Sequence, residues 1–305
     1  MERLNKMHKN LSGGVGFILG AALLWGTTGT AQAFAPVGFD PKVIGCLRLL
    51  IGGVALLVLS LCRHETGHLS DWNWPLVFWA AVFTAGYQIC FFTAVARTGV
   101  AVGTIVGIGS APVTGGLLGR IFRGEKLSRH WTAATVMAIT GCGWLGSGSG
   151  DIKIDTIGII LAIGAGASYA TYSLMIKELV GKHAPNAVMA LVVCGGALLL
   201  SPLLVNCDLQ WLLQPLSIGV VLHLGLLTMA LSYWLFSRGL QTVPLATSVT
   251  LSLAEPMTAA TLGILILGEQ LNIRTFGGIS LIFAGLLVLV LRHPLNIRRF
   301  SPENS

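Results

Sequence analysis

The chain has 305 residues, 54% of them hydrophobic and only 10% charged, with a mean hydropathy of +0.79. Soluble domains carry roughly 25% charged residues, so this chain cannot clothe itself in a water-facing surface and reads as an integral membrane protein. Its net charge of +7 is scattered between apolar segments, which points to membrane topology and excludes a nucleic-acid-binding patch.

A bilayer span needs about 20 apolar residues. Runs of that length predict an all-α fold of ten transmembrane helices at 14–34, 42–62, 74–96, 99–121, 130–148, 156–177, 186–206, 216–237, 244–267 and 272–292. The basic start, MERLNKMHKNLSGG, has the charge of a signal peptide. The apolar run behind it is as long as a span, however, and no small-residue cleavage site follows, so it reads as a retained first helix. This span carries Trp25, Thr27 and Thr28, an aromatic and two hydroxyls able either to meet a solute or to bond helix to helix.

The second span holds Arg48 about two turns from its start. An arginine there can snorkel to the surface or face an anionic group inside the protein. At the other end of this span lies RHETGHLSD (63–71), in which His64, Glu65 and His68 match the zinc-protease spacing His-Glu-x-x-His. On a helix that spacing presents two imidazoles to a metal, with the Glu as general base. A membrane zinc enzyme is therefore the alternative function. Gly67 and the following Ser-Asp-Trp-Asn-Trp-Pro instead predict a loop, with Trp72 and Trp74 at the membrane interface.

The third span brings Tyr87 and Gln88, and the Arg-Thr-Gly at 97–99 predicts a tight connection to the fourth. There Gly103/Gly107 and Gly115/Gly119 form small-residue seams, and Pro112 removes a backbone donor, leaving the Ile108 carbonyl without its usual partner. Ser168, Tyr169 and Tyr172 lie in the sixth span and Tyr233 in the eighth, where His223 reads as interfacial or solvated. Gln-Thr-Val at 241–243 predicts another short turn. The ninth span carries Ser248, Ser252, Glu255 and Pro256, the proline freeing the Ser252 carbonyl. Glu255 is the one carboxylate placed near the middle of a span, where an ionisable group reads as functional by default.

Glu125 and Glu269 sit at helix ends and read as anchors for loop backbone. The six cysteines (46, 62, 90, 142, 194 and 207) fall singly and read as buried thiols. No phosphate-binding loop and no Ser-His-Asp arrangement is visible, so neither a cofactor nor enzyme activity is expected.

With the N-terminus in the cytoplasm, Arg3, Lys6, Lys9, Arg63, Arg120, Arg123, Lys126, Arg129, Lys177, Lys182, Arg238, Arg292, Arg298 and Arg299 fall inside. Only Lys42, Arg97, Lys153 and Arg274 fall outside. That asymmetry predicts both termini in the cytoplasm of a cell-membrane protein.

Shifting the chain by 144 residues aligns it with itself. Gly20 meets Gly164, Thr27 meets Thr171, Pro41 meets Pro185, and PVTGGLLGRIFRGEKL (112–127) meets PMTAATLGILILGEQL (256–271) without a gap. The two copies, 14–148 and 156–292, hold five predicted helices each, so the second must cross in the opposite sense. Inverted repeats with matching proline interruptions characterise secondary transporters, whose site lies between the halves.

LLWGTTGT in the first span, CLRLLIGG in the second, LAEPMTAATLGILILGEQL in the ninth and APVTGGLLGRIFRGEKL in the fourth resemble the EamA branch of the drug/metabolite transporter superfamily. The resemblance covers about 14–292. It implies transport of small metabolites, often export, through a central cavity lined by the first, third, fourth, sixth, eighth and ninth spans. The first copy departs from the pattern in carrying Ala111-Pro112 where the second has Glu255-Pro256.

The expected function is thus a secondary transporter, of the exporting kind, for small metabolites such as amino acids or related amphipathic solutes. Its candidate site is Trp25, Thr27, Thr28, Arg48, Tyr87, Gln88, Ser168, Tyr169, Tyr172, Tyr233, Ser248, Ser252 and Glu255, with helix breaks at Pro112 and Pro256. Burial disfavours a charged carboxylate and a nearby Arg favours it, so Glu255 is also the candidate carrier of a coupling proton. The oligomeric state stays open.

Overall fold

The computed structural model of the chain describes residues 2–35, 41–146, 155–205, 207, 209–268 and 270–291, and among them every regular element is helical. Helices satisfy their own backbone polar groups, which a hydrocarbon surround requires. In chain order they are α1 (Glu2–Ala33), α2 (Pro41–Cys62), α3 (Trp74–Arg123), α4 (Arg129–Gly146), α5 (Thr156–Leu179) and α6 (Pro185–Leu200). After short 3-10 turns follow α7 (Pro215–Leu222), a wider π-type stretch (His223–Leu231), α8 (Ser232–Thr242), α9 (Leu245–Leu251), α10 (Ala254–Leu267) and α11 (Ile273–Leu291). Eight helical segments of the described residues are long and apolar enough to cross a membrane. The protein is a multi-pass membrane protein.

Every residue from Trp74 to Arg123 is helical, over a stretch where the sequence predicts two spans with a break at 97–99. The segment is nevertheless folded back on itself. A Cβ on Gly103 would stand 3.0 Å from the Val95 Cα, and one on Gly107 3.6 Å from the Phe91 ring. In a straight helix residues eight apart lie about 12 Å apart, so the chain reverses near residue 99. The two arms run antiparallel through a tight connection near the 97–99 break that the sequence predicts.

Helix breaks were expected at both prolines, yet the helix runs through Pro112 and breaks only before Pro256, at Ser252–Leu253. The Ser252 carbonyl, expected to be unpartnered, accepts the Glu255 N–H at 2.9 Å in a tighter turn. Of the six cysteines, all free, Cys46 and Cys142 are buried, Cys90, Cys194 and Cys207 are half-buried, and Cys62 at the end of α2 is exposed.

Contacts between the halves come in pairs at the 144-residue offset. Gly52 of α2 lies against Met229 and the Gly225 carbonyl, and Gly196 of α6 against Thr84 and the Ala81 carbonyl. After α3 and α10 the chain turns through left-handed glycines, Gly124 (φ 61°) and Gly268 (φ 71°), whose N–H groups return to the Gly119 and Gly263 carbonyls. Glu269 and the C-terminal residues from 292 on lie outside the described residues.

Away from these contacts, α4 packs along α11 through a seam of small residues. A Cβ on Gly278 would stand 2.9 Å from the Gly141 carbonyl, and one on Gly285 2.8 Å from that of Ala134. Gly278→Val is therefore expected to destabilise the fold by about 1–3 kcal/mol through overpacking, read as a lower melting temperature. A neighbouring lipid-facing change such as Phe283→Leu should leave melting unmoved.

Candidate functional site

The deep end of the site is aromatic because four spans each send a ring to one point. Trp25 on α1 meets Tyr169 of α5 and Tyr233 and Phe236 of α8 at centroid distances of 6.2, 5.4 and 5.2 Å. The Tyr172 and Tyr233 hydroxyls are 3.1 Å apart, and Tyr87 of α3 closes the ring 6.1 Å from Tyr169 and 6.2 Å from Tyr172. Such tilted pairs favour a fixed arrangement by roughly 0.5–1.5 kcal/mol each beyond burial.

Above this floor opens a cavity of about 420 Å³ between α1, α2, both arms of α3, α5, α8 and the α9–α10 break. Exposure rises along it: Trp25, Ala111, Tyr172, Tyr233 and Ser252 are buried, while Gln32, Val95, Thr104 and Ala259 are half-buried and Gly29 is exposed. Its mouth therefore lies at the C-terminal end of α1.

The polar groups of the cavity are few and under-used. Trp25 Nε1, Arg48 Nε and Gln88 Nε2 are buried and have no hydrogen-bond partner among the described residues, in residues only 6%, 8% and 3% exposed. An unmade bond of this kind costs about 1–3 kcal/mol, and residues lining the cavity carry three such donors with no acceptor among the described residues. Glu255 lines the same space from the first turn of α10, and no ion pair within 4.0 Å joins it to Arg48 among the described residues. A cationic donor and a carboxylate thus face one cavity unneutralised by direct contact.

The break before Pro256 is what brings Ser252 and Glu255 there. Ser252 Oγ donates to the Val249 carbonyl at 2.7 Å, and α1 can approach the turn because Gly26 has no side chain. A Cβ on Gly26 would lie 2.8 Å from the Glu255 carbonyl oxygen.

Of the candidate residues, Trp25, Thr28, Arg48, Tyr87, Gln88, Tyr169, Tyr172, Tyr233, Ser252, Glu255 and Pro256 line the cavity. Four do not. Thr27 turns away to the π-type stretch, donating to the Leu24 carbonyl and meeting His223 Nε2 at 2.8 Å. Ser168 sits at the α3–α5 seam opposite Gly86, Ser248 bonds the Pro244 carbonyl at 2.9 Å, and Pro112 lies behind Ala111. His223 is thus a half-buried partner of α1 within a long helical segment. The cavity also takes Gln32, Phe91, Phe92 and Thr104, of which Gln32, a polar side chain near a span end, was the one visible signal.

The His64–His68 stretch has another structure than a zinc site needs. Residues 63–68 form a turn, with His64 in the left-handed region (φ 54°) that side chains avoid. Asn186 Nδ2 donates to Glu65 Oε2. Trp72 Nε1 donates to the Thr66 carbonyl at 2.9 Å, and its ring is buried and stacks on His183 at 3.9 Å. Among the described residues no three His, Cys, Asp or Glu side chains gather to hold a metal. The stretch ties the α2–α3 loop to α6.

The sequence profile described as the EamA-like transporter family matches residues 12–147 and again residues 156–291. The uncharacterised transporter YwfM of Bacillus subtilis is 46% identical over 273 residues, 90% of this chain and 92% of its own. The threonine/homoserine exporter RhtA of Escherichia coli is 28% identical over 259 residues, 84% and 83% of the two chains. A solved crystal structure shares the fold with a TM-score of 0.81 at 20% identity, covering 92% of this chain and 97% of its own.

Proposed function

The chain belongs to the EamA-like transporter family of the drug/metabolite transporter superfamily, and we propose that it exports a small zwitterionic metabolite such as an amino acid. The observation that carries this reading is the cavity's pairing of opposite charges over an aromatic floor. A cargo carboxylate accepts from Arg48, with Gln88 and Trp25 Nε1 as further donors. Its ammonium faces Glu255, and its carbon skeleton lies on Trp25 and Tyr87. The cavity's volume falls within the roughly 300–1,000 Å³ of small-molecule sites. The relation to RhtA, a threonine/homoserine exporter, supports an amino-acid-like solute.

The reading takes the chain as ten crossings in two inverted repeats, 14–148 and 156–292, with both termini in the cytoplasm of a cell membrane. The second arm of α3 and α4 supply the two crossings beyond the eight long apolar segments. The paired contacts at the 144-residue offset and the double match of the family profile support the repeats. The charge asymmetry of the loops supports the orientation, under which the cavity mouth faces outward. Alternating access then proceeds by rocking of the halves around the fixed site, with a proton as coupling ion at Glu255.

A thermal-shift screen of amino acids, amines and organic acids on the purified chain tests the reading. A ligand of the folded state at a hundred times its dissociation constant stabilises by about 2.7 kcal/mol, and zwitterions are expected to give the shifts. Shifts from anions or cations alone, with none from zwitterions, would overturn the charge-pair assignment.

A further inference from the structure

At the end of the bundle away from the cavity mouth, the turn between α8 and α9 is held by two charged side chains. The Glu125 carboxylate accepts the Leu245 N–H at 2.7 Å through one oxygen and the Ala246 N–H at 3.0 Å through the other. The Lys177 ammonium donates to the Leu240 and Val243 carbonyls, both at 2.6 Å. Charge-assisted bonds of this kind are about twice as strong as neutral ones.

The seat for Glu125 is built by glycines. Gly124 turns the chain through φ 61° directly before it, and a Cβ on Gly119 would stand 2.5 Å from the carboxylate. Nearby, α1 is drawn in at Gly14 against Thr242 and Val243. Gly14 is eleven residues before Trp25, about 16 Å along a helix, so this closure lies well below the aromatic floor.

The two charges hold different things together. Lys177 and its carbonyl partners all belong to the second half of the chain and would move as one body. Glu125 follows α3 in the first half, whereas Leu245 and Ala246 open α9 in the second. Any rocking of one half against the other at this end has to break the Glu125 bonds and no Lys177 bond. Arg123 and Glu178 also join the halves here, at 2.6 Å. That pair is exposed enough for water to weaken it.

We propose that Glu125 is the releasable bolt of the closed end, and that letting go the Leu245 and Ala246 N–H groups is the step that opens the cavity to the side opposite its present mouth. The inference rests on the transport reading of the cavity, but its test needs no cargo.

Hydrogen–deuterium exchange on the full-length chain reads those N–H groups directly. In Glu125→Gln, which loses the charge, exchange over 245–253 should rise on the order of tenfold. Exchange over 232–240, which carries the floor residues Tyr233 and Phe236, should rise with it, because the opened end admits water to the floor. Exchange over 273–291 in α11 should stay within about twofold. Glu125→Asp keeps the charge on a shorter stem and should give a smaller rise in the same two segments, and it carries the test should the Gln variant not fold. Unchanged exchange at 245–253, a rise confined to that segment as for a merely structural cap, or an equal rise everywhere would each overturn the proposal. Solute flux separates the two readings. The predicted exchange pattern in a chain that moves no solute would remove transport and leave the bolt, whereas wild-type exchange in a Glu125→Gln chain that still transports would remove the bolt alone.

Discussion

Replacing Glu255 by Gln is expected to abolish the build-up of cargo driven by a pH difference across sealed vesicles, bringing it to the level of vesicles without protein. Exchange of labelled for unlabelled cargo between compartments of equal pH should continue. The side chain lines the cavity from the first turn of α10, next to the break before Pro256. In alternating access the same carboxylate faces each side in turn. If cargo and proton compete for it, removing its titration uncouples the two while Gln keeps its size and hydrogen bonding. Ala111 stands at the matching place in the first half and cannot titrate, so coupling would fall on one half alone. Build-up in Glu255→Gln at a rate near that of the wild type would make Glu255 a structural residue.

Arg48→Met should weaken cargo binding by roughly 1.5–3 kcal/mol, the worth of a hydrogen bond to a charged group. That corresponds to about ten- to hundredfold in dissociation constant. Met retains the apolar stem with which Arg48 packs, so the loss reports the guanidinium. Its Nε has no partner among the described residues, so a bound carboxylate would gain a bond that displaces none within the protein. Titration calorimetry with the best zwitterion from the thermal-shift screen measures the effect. An unchanged dissociation constant would place Arg48 outside the site.

The long apolar runs were legible because a bilayer leaves the backbone only helices, and hydropathy then reports each span. The reversal near residue 99 was legible as a place, though its form was not. Gly103 against Val95 shows the two arms meeting with no residue outside a helix between them, which no local signal in Arg-Thr-Gly announces. Arg48 and Glu255 stood out because a charge inside a span is costly. Aromatic residues that converge from four spans could be named singly, but their meeting around Trp25 depends on packing across the halves. Hydroxyls were the weak point. Ser168 and Thr27 share spans with cavity residues, yet in spans hydrophobic on all sides the periodicity does not say which face turns inward, and a helical Ser or Thr can satisfy itself on a preceding carbonyl, as Ser248 does with Pro244. Pro112 and Pro256 look alike in sequence, and only the second breaks its helix, beside a carboxylate that its counterpart lacks.

The most direct measurement is flux through the purified chain in sealed vesicles, with ATP absent, a pH difference imposed, and labelled threonine leading a panel of amino acids and related zwitterions. Passage of at least one zwitterion above the rate of protein-free vesicles, saturable and lost when the pH difference is collapsed, is the predicted result. A chain that moves none of the panel, or moves solute at a rate indifferent to both the pH difference and Glu255→Gln, would contradict it.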